Sequence, residues 1–141
     1  MKTLNREACG VFRKAGIRGC TDITGFSLLG HGMELAEKSG VLLSLRREAI
    51  PFLDGAMDYA EEGLFPGGAI RNREFYGKNV IFNEEIPEKV RGLLFTPETS
   101  GGLLAAVPQE AAGAVRAGLA AAGVSFAEIG RVEAGAGIMV L

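Results

Sequence analysis

Between Cys20 and His31 the chain reads Cys-Thr-Asp-Ile-Thr-Gly-Phe-Ser-Leu-Leu-Gly-His. A carboxylate (Asp22), two hydroxyls (Thr21, Thr24) and a glycine (Gly25) thus stand directly ahead of an apolar segment with helical spacing. Unpaired N–H groups at a helix start attract anions, and a glycine lets a phosphate come close to the backbone. Asp22 would repel a bare phosphate, so its presence makes chemical sense if a hard cation such as Mg2+ stands between the two. A metal-bridged nucleotide is the reactive reading. The commoner role for Asp or Thr at such a place is an N-cap, worth about 1 kcal/mol.

Two further stretches combine polar side chains with paired glycines. Pro66-Gly67-Gly68 is followed by Arg71, Asn72 and Arg73, and Thr96-Pro97-Glu98-Thr99-Ser100 runs into Gly101-Gly102. Hydroxyls and backbone N–H groups ahead of a glycine pair can cradle an anion, although such residues more often make ordinary turns, and exposed arginines are usually only solvated. The single histidine, His31, falls two turns into the expected helix, where hydrogen bonding to neighbours is its ordinary role. Cys20 reads as a small buried hydrophobe. No G-x-x-x-x-G-K-[ST] run is present, which excludes a P-loop, and there is neither a CxxC pair nor zinc-ligand spacing.

The elements that must position these residues follow from periodicity. Leu4, Ala8, Val11, Phe12 and Ala15 predict a first helix with Asn5 at its N-cap and Gly16 as its stop. Ile17 to Ile23 reads as irregular chain, and a second helix runs from about Thr24 to Lys38 with Phe26, Leu29, Met33 and Ala36 on one face. Val41 to Leu45 is a short strand. Pro51 opens a third helix that turns Leu53, Met57 and Ala60 inward, and Leu64 to Asn79 shows no period and reads as a long loop. Pro87 to Leu94 is a short helix, Leu103 to Val107 a buried strand, and Pro108 begins a helix carrying Ala111, Val115, Leu119 and Ala122. Val124 to Val132 and Gly137 to Leu141 read as a hairpin joined at Glu133 to Ala136. Helices mixed with strands, without a repeated βαβ unit, predict an α+β layer of helices on a mixed or antiparallel sheet.

With 141 residues, 48% hydrophobic and 23% charged, the chain fits one domain with its own core. A formal net charge of -2 offers no footprint for nucleic acid or an anionic membrane surface. No apolar run approaches membrane-span length and Met1 to Glu7 is polar, so the expected compartment is cytoplasmic.

Three stretches in order, Thr21 to His31, Pro66 to Asn72 and Thr96 to Leu103, resemble the carboxy-terminal half of the selenophosphate synthetase (selenide, water dikinase) family. Leu4-Asn5-Arg6 resembles the way the family begins this domain, so the likeness spans nearly the whole chain. The family usually has glycine where Ser27 stands, and Asp-Pro-Gln-Thr-Ser where this chain has Thr96-Pro97-Glu98-Thr99-Ser100. The resemblance implies the carboxy-terminal α+β domain of the aminoimidazole ribonucleotide synthetase superfamily, which completes an ATP site formed mainly elsewhere. The implied reaction converts selenide, ATP and water to selenophosphate, AMP and phosphate.

By resemblance, Asp22 is a Mg2+ ligand facing the ATP phosphates, Thr24 and Gly25 are phosphate neighbours, and Arg71, Asn72, Thr99 and Ser100 are further nucleotide contacts. Residues 1–141 would form a single domain lacking the amino-terminal catalytic domain, which carries the family's reactive cysteine or selenocysteine and its lysine. Its expected partners are ATP, selenide, that amino-terminal domain and, at full length, a second copy as a homodimer. By itself the chain would be inactive. A superfamily enzyme acting on thiamine phosphate or a purine precursor, and a non-catalytic binding module of the same fold, are the alternatives.

Overall fold

The computed structural model describes residues 3–141, so Met1, at the head of the polar opening stretch, lies outside the described residues. Ala8, Val11 and Phe12, continued by Ala15 at the C-cap, place one apolar stripe along α1 (Arg6–Lys14), whereas Leu4, expected on the same stripe, precedes the helix and is exposed; Gly16, at φ +69°, turns the chain out of the helix as expected. Asn5 holds the N-cap position, but its side chain caps nothing; Nδ2 donates instead to the Gly101 carbonyl at 3.1 Å.

Gly19–Asp22, expected to be irregular, is strand β1. It pairs antiparallel with β4 (Leu103–Ala106), setting Asp22 opposite Leu103. Four residues are too few for a period to be read from the sequence, and the partner is remote in the chain. Helix α2 (Ser27–Ser39) starts later than Thr24; Leu29, Met33 and Ala36 are buried on it, while Phe26 lies outside and is exposed. Strand β2 (Val41–Leu45) follows as expected.

Helix α3 (Ala56–Glu61) is shorter than one begun at Pro51. Gly55, at φ +79°, precedes it and leaves Leu53 76% exposed rather than inward, while Met57 packs on the core and Ala60 is buried. The expected loop from Leu64 to Asn79 is corrected more strongly, because Gly67–Tyr76 is a helix, α4. Its inner face consists of Ala69 and Asn72 with half-buried Tyr76, and Ile70 and Phe75 point to solvent. A polar residue inward and apolar residues outward conceal the helical period.

Strand β3 (Val80–Phe82) and helix α5 (Glu88–Leu93) lead to β4, which is half-buried rather than buried. After Pro108, a 3-10 turn at Gln109–Ala111 feeds α6 (Ala112–Ala121), with Val115 and Leu119 buried as expected. Strands β5 (Gly130–Ala134) and β6 (Gly137–Val140) do not form the expected hairpin. The larger sheet runs β3-β6-β2-β5, so β2 lies between them, antiparallel to β5 and parallel to β6. Ala134 faces Val41 and Gly137 faces Leu42, so the connection crosses the end of β2. Two strand spacings amount to roughly 10 Å, which three Cα steps of about 3.8 Å can just span. Gly135, at φ +140°, makes the crossing; a Cβ there would meet Leu42 at 3.1 Å.

The main core gathers Leu29 and Met33 of α2, Leu43 and Leu45 of β2, Ile138 and Val140 of β6, and Val90, Leu94 and Phe95 around α5. Ala8, Val115 and Leu119 form a second cluster between α1 and α6. The β1–β4 ribbon lies between them, with Leu104 packed on the first and Leu103 on the second. The architecture is therefore α+β, helices on a mixed sheet, as expected. No helix among the described residues is long and apolar enough to cross a membrane.

Candidate functional site

Asp22 ends β1, where exposure alternates so that Cys20 and Asp22 face out while Thr21 is half-buried. It lies on an open depression of about 530 Å3 whose lining includes Arg6, Cys9 and Cys20. Among the described residues, no ion pair or side-chain hydrogen bond holds the Asp22 carboxylate back. The chain just beyond it is held on several sides. Ile23 N–H donates to Gly102 O at 2.9 Å, Gly101 N–H to Ile23 O at 3.1 Å, and Glu98 N–H to Thr24 O at 2.9 Å. From α4, Asn72 Nδ2 donates to the carbonyls of Gly25 at 3.0 Å and Phe95 at 3.1 Å. Pro97 lies against Gly68, where a Cβ would come within 2.5 Å of the ring. The three polar, glycine-bearing stretches thus meet at one place.

The N-cap expectation fails for both Asp22 and Thr24. Phe26 occupies the N-cap position of α2 without a side-chain bond, and Thr24 Oγ1 lies 3.0 Å from His31 Nε2. The helix start expected to be open to an anion is partly closed. Ser27 N–H donates to Thr24 O, Leu29 N–H to Leu94 O and Gly30 N–H to Phe26 O, so these amides are satisfied inside the protein. Gly25, just before them, is exposed with open space where a Cβ would be, and offers an approach to the backbone. Ser27, where the family usually has glycine, is buried at φ +69°, a conformation that favours glycine. The Gly30 N–H lies 3.4 Å from Ser27 Oγ, which accepts from it.

Thr24 is half-buried and Asn72 buried, both in contact with the loop, whereas Arg71 is exposed on α4 next to Asn72 in sequence. Thr99 and Ser100 are exposed on the turn that follows Glu98. Arg73 pairs with Glu88 and is thereby engaged away from the loop. His31 has the structural role expected of a lone helical histidine, whereas Cys20 is exposed rather than buried. Partial desolvation pushes the Cys20 thiol up, and Cys9 and Asp22 add to the shift, so it is not an activated thiolate. Partial burial likewise raises the Glu98 carboxyl. Sequence reasoning missed the anchoring bonds of Asn5 and Asn72, whereas the hydrogen-bonded role expected of His31 is met; for Asn72 the available signal was a polar side chain at an inward helix position.

The donor set fits Mg2+ as one ligand and not as a complete site. Asp22 presents a free carboxylate, but no group of three or more His, Cys, Asp or Glu side chains converges among the described residues. Mg2+ keeps its waters unless several oxygen ligands meet, so the remainder would have to come from nucleotide, water or other protein.

Residues 1–140 match the family described as AIR synthase related protein, C-terminal domain. The chain is 47% identical over 113 residues to the selenide, water dikinase of Caldanaerobacter subterraneus subsp. tengcongensis, covering 79% of this chain and 32% of that one. It is 39% identical over 137 residues to the selenide, water dikinase of Aeromonas hydrophila subsp. hydrophila, covering 97% and 39%. The chain therefore spans about a third of the length of these curated relatives.

Among solved structures, it is similar to tt0281 from Thermus thermophilus, with TM-score 0.59 and 24% identity over 94% of this chain and 34% of that one. It is also similar to the thiamine-monophosphate kinase from Stenotrophomonas maltophilia K279a, with TM-score 0.56 and 16% identity over 88% and 31%. At these identities the structural matches establish the fold alone.

Proposed function

The chain belongs to the family of AIR synthase related protein C-terminal domains, and we propose that it is the carboxy-terminal part of an ATP-dependent selenide, water dikinase. That enzyme would convert selenide, ATP and water to selenophosphate, AMP and phosphate. The observation that carries the reading is the meeting of the three polar stretches around Asp22 and Gly25, in a chain whose relatives are selenide, water dikinases.

In this reading Asp22 would supply one oxygen ligand to a Mg2+ that accompanies ATP, and the chemistry such an ion would supply is neutralisation of phosphate charge. Gly25 gives the phosphates close access to backbone, beside the half-buried Thr24. Arg71, Thr99 and Ser100 are the outer nucleotide contacts. Asn72, expected to touch the nucleotide, acts here by holding the Gly25 carbonyl. An amino-terminal domain supplies the reacting groups, the full-length enzyme is a homodimer, and it works in the cytoplasm.

Titrating Mg-ATP into this chain with and without the amino-terminal region of a selenide, water dikinase tests the reading. Binding in the mixture alone, lost on Asp22→Asn, is the expected result. ATP- and selenide-dependent AMP formation by the isolated chain, or binding indifferent to Asp22→Asn, would overturn it. Saturable binding of a different small ligand by the chain alone would favour the non-catalytic module.

A further inference from the structure

Two side chains grip the backbone that follows Asp22. Asn72 takes the carbonyl of Gly25, and His31 Nε2 lies 3.3 Å from the Phe26 nitrogen and 3.0 Å from Thr24 Oγ1. We propose that His31 is a positioning residue, whose Nε2 accepts from the Phe26 N–H and the Thr24 hydroxyl and thereby holds Gly25 in the form that meets phosphate. This inference rests on the nucleotide-site reading above.

The direction of these bonds follows from the donors. A backbone N–H can only donate, so the Nε2 that faces Phe26 must be the bare ring nitrogen, and the Thr24 hydroxyl then turns its proton to the same atom. The ring proton is left on Nδ1, which faces Glu34 Oε2 at 3.7 Å. The ring has little room to turn away: its side chain is only 11% exposed. It lies 5.3 Å, centroid to centroid, from the Phe26 ring, which in turn lies 5.7 Å from Tyr76.

Gly25 has no side chain of its own to limit its backbone. Its conformation is set by its two neighbours and by Asn72. With the acceptor removed, Phe26 N–H and the Thr24 hydroxyl turn to water, and the peptide planes on both sides of Gly25 gain freedom that phosphate binding must again remove. His31 therefore acts on affinity through the loop without touching nucleotide.

In the isotopically labelled chain the His31 ring nitrogens report the tautomer directly. Protonated Nδ1 with bare, hydrogen-bonded Nε2 is expected, and a protonated Nε2 at neutral pH in its place would overturn the proposal with no mutation made. His31→Leu removes the acceptor; it should speed exchange of the Phe26 amide about tenfold and weaken Mg-ATP binding by the mixture with an amino-terminal region by about as much. His31→Gln, whose amide oxygen can again accept, should restore most of both. Unchanged exchange in His31→Leu, or equal losses in the two variants, would overturn the assignment. Asp22→Asn separates the two readings. If that variant binds Mg-ATP unchanged, the nucleotide site is wrong, while Phe26 exchange and the ring-nitrogen signals still decide the role of His31.

Discussion

The N–H of Gly101 donates to the carbonyl oxygen of Ile23 at 3.1 Å, and a Cβ at Gly101 would stand 2.3 Å from that same oxygen. Two backbones touch here with no space for a side chain between them. The contact extends the β1–β4 ribbon past its last paired residues and brings the turn from Thr96 to Gly102 beside Thr24 and Gly25. Asn5 holds the other side of Gly101 through its carbonyl, so α1, β1 and the turn share one anchor.

Gly101→Ala should therefore force Ile23 and the turn apart. A cost of about 2–3 kcal/mol is expected, as for overpacking at an interior site, read as a lower urea midpoint. Gly102→Ala, next in sequence with nothing within 4 Å of its Cβ position, is the control. It should change stability by less than about 1 kcal/mol. Similar midpoints for the two variants would mean that the Gly101 contact does not constrain the ribbon.

Asn72→Leu keeps the size of the side chain and removes both of its hydrogen bonds. The Phe95 and Gly25 carbonyls lose a donor, which should cost about 1–3 kcal/mol. The loop should also exchange its amides faster around Gly25, while α4 keeps its helical signal. Loss of α4 as a whole would show that Asn72 serves the helix rather than the loop.

Ser27 pays a conformational cost at φ +69° and recovers part of it through the bond from Gly30 N–H to its Oγ. Left-handed backbone costs an L residue roughly 1–2 kcal/mol, more than a long, neutral hydrogen bond returns. Ser27→Gly is accordingly expected to be neutral or to raise stability by up to about 1 kcal/mol. Ser27→Val, with a branched Cβ in the same conformation, should be strongly destabilising. A thermal melt of both variants checks the order.

Partial burial raises the Glu98 carboxyl above its ordinary range. The folded chain thus holds this proton more tightly than the unfolded chain. Protonated Glu98 carries no penalty below the unfolded pKa; stability falls as pH rises from there through the folded pKa, and the loss persists at neutral pH. Glu98→Gln should therefore stabilise at neutral pH, by under about 1 kcal/mol because the residue remains largely solvated, and should have no effect in acid below the carboxylate range. Urea midpoints measured at the two pH values decide it; a gain confined to acid would reverse the sign.

The amino-acid sequence by itself determined the apolar faces of α1, α2 and α6, strand β2, the stop at Gly16, and the three motifs whose order identified the family. Each depends on side-chain period, backbone sterics or residue identity within a few positions, which short-range physics encodes. Tertiary structure alone decided that β1 exists, because its partner β4 is remote, and that β2 separates β5 from β6. It also decided α4, whose inner face is built on a buried Asn72 satisfied by carbonyls of two other segments. Asp22 shows the division most clearly. Its type and its neighbours in the chain suggested cap or metal alike, and only the pairing of Asp22 with Leu103 in a ribbon between two cores turned the carboxylate outward, away from the helix it was expected to cap.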